Sequence, residues 1–172
     1  MLDMKMYDLE FTDPAMTVWA LLRQTHTAIN KVAEVRLAKK GLTPEKAAVL
    51  WACRDYPGIV TPAEIARLVF REAQTIAGLL NRMEREGLIK RIPKRKGRPY
   101  TQIKLTPRGA ELVDPGVQVL RSLIESLVEG MPKQERDQLI KTLAAIRSKM
   151  IAQIHIEAGS PAVFEGKPIK PW

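Results

Sequence analysis

The sequence predicts a mainly α-helical chain with one small β-hairpin between its fourth and fifth helices. Three observations lead there. Thr or Asp directly followed by Pro stands ahead of an apolar stripe at Asp13-Pro14, Thr43-Pro44, Thr61-Pro62 and Thr106-Pro107. Each pair is an N-cap followed by proline at the first helical position, where its missing N–H has no helical partner to lose. After these pairs, apolar residues recur at spacings of three and four, the period of a helix face. Only around the segment from Leu88 to Leu105 does the period fall to two, as expected of paired strands.

The first helix starts at Pro14 and carries Val18, Leu22, Thr25, Ile29, Val32 and Val35 as one stripe, ending near Lys40 with Gly41 as its stop. The second starts at Pro44, turns Ala47, Leu50 and Trp51 inward, and closes at Tyr56-Pro57-Gly58. Ile59 and Val60 allow no more than a token strand. Thr61-Pro62 opens a third helix with Ile65, Ala66 and Val69 inward, and a fourth runs from about Glu72 to Glu86. Its inward residues are Ile76, Leu79, Leu80 and Met83, and Gly87 is its C′ residue. Leu88, Lys90 and Ile92 lead to Pro93, and Ile103 and Leu105 alternate with Gln102 and Lys104, so two strands flank a Gly97-Arg98-Pro99 tip. The fifth helix starts at Pro107 and is expected to kink or restart at Asp114-Pro115-Gly116. It continues through Val117, Leu120, Leu123, Ile124, Leu127 and Val128 to Gly130. The sixth begins at Pro132 with Leu139, Leu143, Ile146, Met150 and Ile154 in phase. The segment from Gly159 to Trp172 has little periodicity and is expected to lack regular structure.

Composition bounds the function. Apolar residues make up 45% of 172, enough for a core. Lys and Arg number 28 against 19 Asp and Glu, so the formal net charge of +9 favours a polyanionic partner, nucleic acid ahead of a membrane surface. A lone Cys53 excludes an internal disulfide and fits a reducing compartment. With only His26 and His155 beside it, an ordinary zinc cluster is excluded. No apolar run approaches a membrane span and no secretory signal opens the chain. A soluble cytoplasmic protein is expected. The chain lacks a glycine-rich phosphate loop and a Gly-x-Ser-x-Gly elbow, and its histidines lie far from the basic segment. Glu84 and Glu86 read as solvated surface at a helix end. The expectation is a non-enzyme with no catalytic residue, cofactor or metal.

Between Leu88 and Arg108 stand Lys90, Arg91, Lys94, Arg95, Lys96, Arg98, Lys104 and Arg108, with no acid among them. A solvated surface normally mixes signs, so this run calls for an anionic partner; the alternative is a merely soluble loop. Arg and Lys on a narrow hairpin can follow a phosphate backbone, and Arg98 at its tip can enter a minor groove. The two helices before it, joined at Phe70-Arg71, form a helix-turn-helix whose second helix offers its first turns to a major groove. Helical phase places Ala73, Gln74, Ala77, Gly78 and Arg82 away from the core face, with Arg71 in the turn. Gln74 can pair with adenine, and Thr75 can reach a phosphate or a thymine methyl. Gly78 in mid-helix costs about 1 kcal/mol against alanine, offset either by close approach to DNA or by packing against a neighbour. The long stripes of the first, fifth and sixth helices exceed what a small lobe can bury, which favours a two-fold dimer over a monomer folded on itself.

Ala63-Glu64-Ile65-Ala66, the run Gly78-Leu79-Leu80-Asn81-Arg82-Met83-Glu84-Arg85-Glu86-Gly87-Leu88-Ile89, and Leu105-Thr106-Pro107-Arg108-Gly109 resemble the MarR family of winged helix-turn-helix transcriptional regulators, with the resemblance spanning roughly residues 14 to 157. The resemblance implies a homodimer on double-stranded DNA, binding a pseudo-palindromic operator, usually as a repressor released by a small, often aromatic, acid or its thioester. It implies a discontinuous helical dimerisation lobe at 14–42 and 107–157, a winged helix-turn-helix DNA-binding domain at 43–106, and a tail at 158–172. DNA-contacting residues would be Arg71, Ala73, Gln74, Thr75, Gly78, Arg82, Lys94, Arg95, Lys96 and Arg98. Where the family's wing carries an Asp two residues before its arginine, this chain has Lys96.

Trp19, Arg23 and His26 on the first helix and Trp51 on the second can line an effector cleft, with Arg23 on a carboxylate and the indoles around a ring. Against this, both tryptophans can be core residues and Arg23 a surface charge. Cys53, among Leu50, Trp51 and Ala52, reads as a small buried hydrophobe rather than a redox switch. The other class of function is a sequence-tolerant architectural DNA binder or an RNA-binding protein without effector response. Against RNA, Tyr100 is the sole aromatic near the wing, too few for a stacking platform.

Overall fold

The structure, a computed structural model, describes residues 11–97 and 101–157. Its elements run α1 (Pro14–Ala38), α2 (Pro44–Asp55), α3 (Pro62–Leu68), α4 (Ala73–Arg85), β1 (Ile89–Ile92), β2 (Gln102–Leu105), α5 (Pro107–Leu127) and α6 (Lys133–Glu157). All four cap-then-proline starts are made. Asp13 Oδ1 accepts from the Ala15 N–H at 2.9 Å, Thr43 Oγ1 from Lys46 at 3.3 Å, Thr61 Oγ1 from Glu64 at 3.2 Å and Thr106 Oγ1 from Gly109 at 3.0 Å. Each such cap contributes about 1 kcal/mol. The expected stop of α4 is also present. Gly87 sits at φ +70°, its N–H donates to the Glu84 carbonyl at 3.0 Å, and the Leu88 N–H donates to Met83 at 2.9 Å. This left-handed closure suits glycine because it has no Cβ to clash.

The two strands pair antiparallel, Ile89 opposite Leu105 and Ile92 opposite Gln102. The Ile59-Val60 segment forms no strand, but the Val60 carbonyl accepts from the Ile103 N–H at 2.9 Å and ties the hairpin to the helices. One continuous core runs through Leu37, Leu50, Ile65, Ile76, Leu80, Met83, Ile89 and Ile103. The Leu-Thr-Pro-Arg-Gly segment clamps three elements into it. The Thr106 N–H donates to the Leu88 carbonyl at 3.1 Å, and its hydroxyl donates to the Gly87 carbonyl at 2.6 Å. Gly109 lies so close beneath β1 that a Cβ there would stand 1.9 Å from the Leu88 carbonyl oxygen.

One expectation changes, that for the fifth helix. α5 continues as one helix through Pro115 instead of restarting. Buried Val113, Gly116 and Leu123 hold it on both sides, and that packing outweighs the hydrogen bond proline cannot make. The α1 stripe does not face the chain's own core: Val18, Leu22, Val32 and Val35 are exposed, while Ala20, Ala33 and Leu37 are buried. Small alanine side chains permit close helix approach, so α1 packs on that face and leaves the larger one open. α6 likewise shows Leu139, Ile140, Leu143, Met150 and Ile154 exposed. The segment 158–172 lies outside the described residues. Among the described residues no helix is long and apolar enough to cross a membrane, and no group of three His, Cys, Asp or Glu side chains could hold a metal ion.

Candidate nucleic-acid interface

α3 and α4 pack through Ile65, Ile76, Leu79, Leu80 and Met83, all buried. Their connection closes as α4's end does, but with Phe70 in the left-handed position. Phe70 has φ +51°, the Arg71 N–H donates to the Ala66 carbonyl at 3.0 Å, and the Phe70 N–H donates to Arg67 at 3.3 Å. With the apolar face of α4 committed inward, its opposite face is left to solvent: Arg71, Ala73, Gln74, Thr75 and Arg82 are exposed and Gly78 is half-buried. A Cβ at Gly78 would meet only the Arg82 guanidinium, at 3.8 Å. Packing within the chain therefore does not require the glycine. Beyond β1, Lys94, Arg95 and Lys96 are exposed. Arg98 lies outside the described residues.

Not every cation of the basic run is available to a partner. Arg91 docks the hairpin on α4: its backbone N–H donates to Glu84 Oε1 at 2.9 Å and its guanidinium donates to the Ala77 carbonyl at 3.2 Å. The expectation that Glu84 and Glu86 are mere solvated surface is corrected here. Glu84 holds Arg91, and Glu86 receives Lys46 Nζ at 2.7 and 2.8 Å from the start of α2. These acids fix the end of α4 against the elements that flank it. The only advance signal for this role was their place beside a helix C-cap.

The four ligand candidates are placed on two helices. Trp19, Arg23 and His26 share an exposed face of α1, with the Arg23 guanidinium 5.4 Å above the Trp19 ring. Asn30 Nδ2 donates to His26 Nε2 at 3.0 Å. Trp51 is half-buried on α2. Arg23 thus meets an indole face, where cation–π attraction holds it, and the three α1 residues present an aromatic and cationic strip to whatever covers this helix.

Cys53 is half-buried on α2, and burial pushes its thiol from the ordinary 9.0 up to about 12. The thiol therefore stays protonated and poorly nucleophilic at neutral pH. Its raised native pKa means that the unfolded thiol ionises first as pH rises. The associated stability is complete below the unfolded pKa and declines above it, toward the folded value. Denaturant titrations between about pH 9 and 11 should show stability falling more steeply in the native chain than in Cys53→Ala. Equal slopes would contradict this burial.

A short helix, a left-handed turn, a second helix with one open face and a basic two-stranded hairpin together define a winged helix-turn-helix protein. The model of the MarR family matches residues 40–98. That segment, from the end of α1 into the hairpin, is what this chain shares with the MarR family. Among solved structures, the Staphylococcus aureus MepR–DNA complex is similar at 24% identity over 81% of this chain and 99% of that one, with a TM-score of 0.72. The organohalide-sensing regulator RdhR-CbdbA1625, ligand-free, is 21% identical over 96% of this chain and 99% of its own, with a TM-score of 0.76. CouR from Rhodococcus jostii RHA1 bound to p-coumaroyl-CoA is 21% identical over 79% and 95% of the two chains, with a TM-score of 0.68. These likenesses establish a common fold. No curated protein matches in sequence.

Proposed function

We propose that the chain is a homodimeric, sequence-specific DNA-binding transcriptional regulator that represses its target and is relieved by a small ligand. The observation that carries this reading is the open face of α4, with Arg71, Ala73, Gln74, Thr75 and Arg82 exposed beside the cations Lys94, Arg95 and Lys96. In it, Gln74 and Thr75 read base edges, Arg71 and Arg82 flank them, Gly78 lets the backbone approach, and Arg98 enters the minor groove. The DNA-bound state of MepR supports DNA as partner, and the p-coumaroyl-CoA complex of CouR supports an aromatic thioester or acid as the effector class. Trp19, Arg23, His26 and Trp51 are the residues assigned to that effector. The winged helix-turn-helix unit is 43–106, and the dimerisation lobe is 14–42 with 107–157.

The test is selection of the purified protein against a random duplex pool at roughly physiological salt, where non-specific contacts weaken. Enrichment of a pseudo-palindrome with half-sites about one helical turn apart is expected. Retention of DNA with no common sequence would instead establish the architectural reading. On the selected site, Gln74→Ala should relax preference at one base pair per half-site, costing about 1–3 kcal/mol there. Uniform weakening on every DNA would remove Gln74 from base reading.

The homodimer rests on the apolar faces that the chain leaves open on α1, on the end of α5 (Ile124 and Leu127) and on α6. Several large apolar side chains left open on three helices mark a protein interface. Ile140→Asp with Leu143→Asp should shift the chain to a monomer in sedimentation experiments and abolish tight operator binding. A double variant that sediments as the native protein does would exclude this face from the interface.

A further inference from the structure

We infer that the cleft between the last turn of α1 and the middle of α5 is a binding site for a small polyphosphate anion. This inference concerns binding alone and does not depend on the DNA-binding reading. The cleft is open to solvent and has a volume of about 720 Å³. Arg36, Lys39 and Lys40 line one wall, and Gln118, Val119 and Ser122 face them.

Arg36 lies in the last turn of α1, Lys39 is its C-cap and Lys40 follows in the turn, three and four residues beyond Arg36. Like charges gathered this closely repel one another. The half-charge of a helix C-terminus favours one nearby cation, not three. Among the described residues none of the three forms an ion pair. The carboxylate that borders the same cleft, Asp114, is already taken by Arg54, which also chelates Asp55 at 2.8 Å. That leaves a concave surface with uncompensated positive charge, an amide and a hydroxyl able to donate across it, and Val119 as an apolar floor.

A monocarboxylate would satisfy one cation and leave two in repulsion, whereas a diphosphate or triphosphate group meets all three with charge-assisted hydrogen bonds. Phosphates of groove-bound DNA are the poorer match. Lys46, at the start of α2, is clamped to Glu86 at the far end of α4. The 13 residues of α4 span about 20 Å, so the α1–α2 corner lies at the opposite end of α4 from Gln74 and Thr75.

Isothermal titration of the full chain with pyrophosphate, and separately with inorganic phosphate, tests the site. Saturable binding of one pyrophosphate per chain is expected, tighter than phosphate. Arg36→Gln/Lys39→Gln/Lys40→Gln should weaken it by about tenfold or more, and Gln118→Ala/Ser122→Ala, which leaves α1 intact, should weaken it several-fold. A charge-matched control on α6, Lys141→Gln/Arg147→Gln/Lys149→Gln, should bind as the native chain does. Absence of saturable binding, undiminished binding by both cleft variants, or equal loss in the α6 control would overturn the site. Affinity for a random-sequence duplex should be unchanged in the α1 variant. A fall in that affinity, with a salt dependence shallower by about three counterions, would assign these cations to DNA and overturn the inference too.

Discussion

Gly109→Ala should cost about 3 kcal/mol of stability, the upper end of what overpacking a tight site produces. The added Cβ would fall 1.9 Å from the Leu88 carbonyl oxygen and 2.9 Å from its carbon. That carbonyl cannot retreat freely, because it accepts the Thr106 N–H at 3.1 Å and is part of the turn that starts β1. Equilibrium denaturation checks the value, and a change below about 1 kcal/mol would show that the clamp yields. Gly78→Ala supplies the contrast. There the new methyl meets only the end of a flexible arginine, so helix propensity should raise stability by up to about 1 kcal/mol. On the proposed reading, the same methyl should weaken operator binding, since the face it occupies is the one offered to DNA. The two glycines of neighbouring elements would then differ in sign for stability.

Removing the wing cations should have the largest effect on DNA binding. Lys94→Ala/Arg95→Ala/Lys96→Ala deletes three exposed positive charges without touching a buried residue. Each phosphate contact contributes a slope of about 0.9 to the dependence of log affinity on log salt, so the slope should fall by roughly three. Affinity near 0.1 M salt should drop on the order of a hundredfold, and about equally for all sequences. An unchanged slope would remove these residues from phosphate contact. Loss confined to a few sequences would make them base readers instead. Arg91 behaves differently: bound to Glu84 and to the Ala77 carbonyl, its replacement should act first on how the hairpin is docked.

Local chemistry made much of this architecture readable. Thr or Asp before Pro announces a helix start through a hydrogen bond two or three residues away, and four of the five such pairs start one, Asp114-Pro115 within α5 being the exception. Ile76, Leu79, Leu80 and Met83 form a stripe with one buried face, so their phase alone separated the core of α4 from Gln74 and Thr75. What escaped depends on partners remote in sequence. Lys46 and Glu86 are 40 residues apart, and nothing near either names the other. Glu84 looked solvated because the residue it holds belongs to the following strand. The α1 stripe shows the same limit. Periodicity identifies an apolar face but not which molecule covers it, and the chain's own core prefers the flatter alanine face around Ala33. Continuity through Pro115 likewise reflects packing around α5 rather than the local preference of proline.

The 25 residues of α6 include no buried side chain among those described. Most of a helix's stability in a protein comes from packing of its apolar face rather than from intrinsic propensity. Its order is therefore tied to whatever surface covers it, and on the proposed homodimer mass action governs the end of the chain as it governs a bound ligand. On that reading, diluting the protein should melt α6 before the Leu50–Leu80 core loosens, and the helicity of this segment would read out how much of the chain is associated.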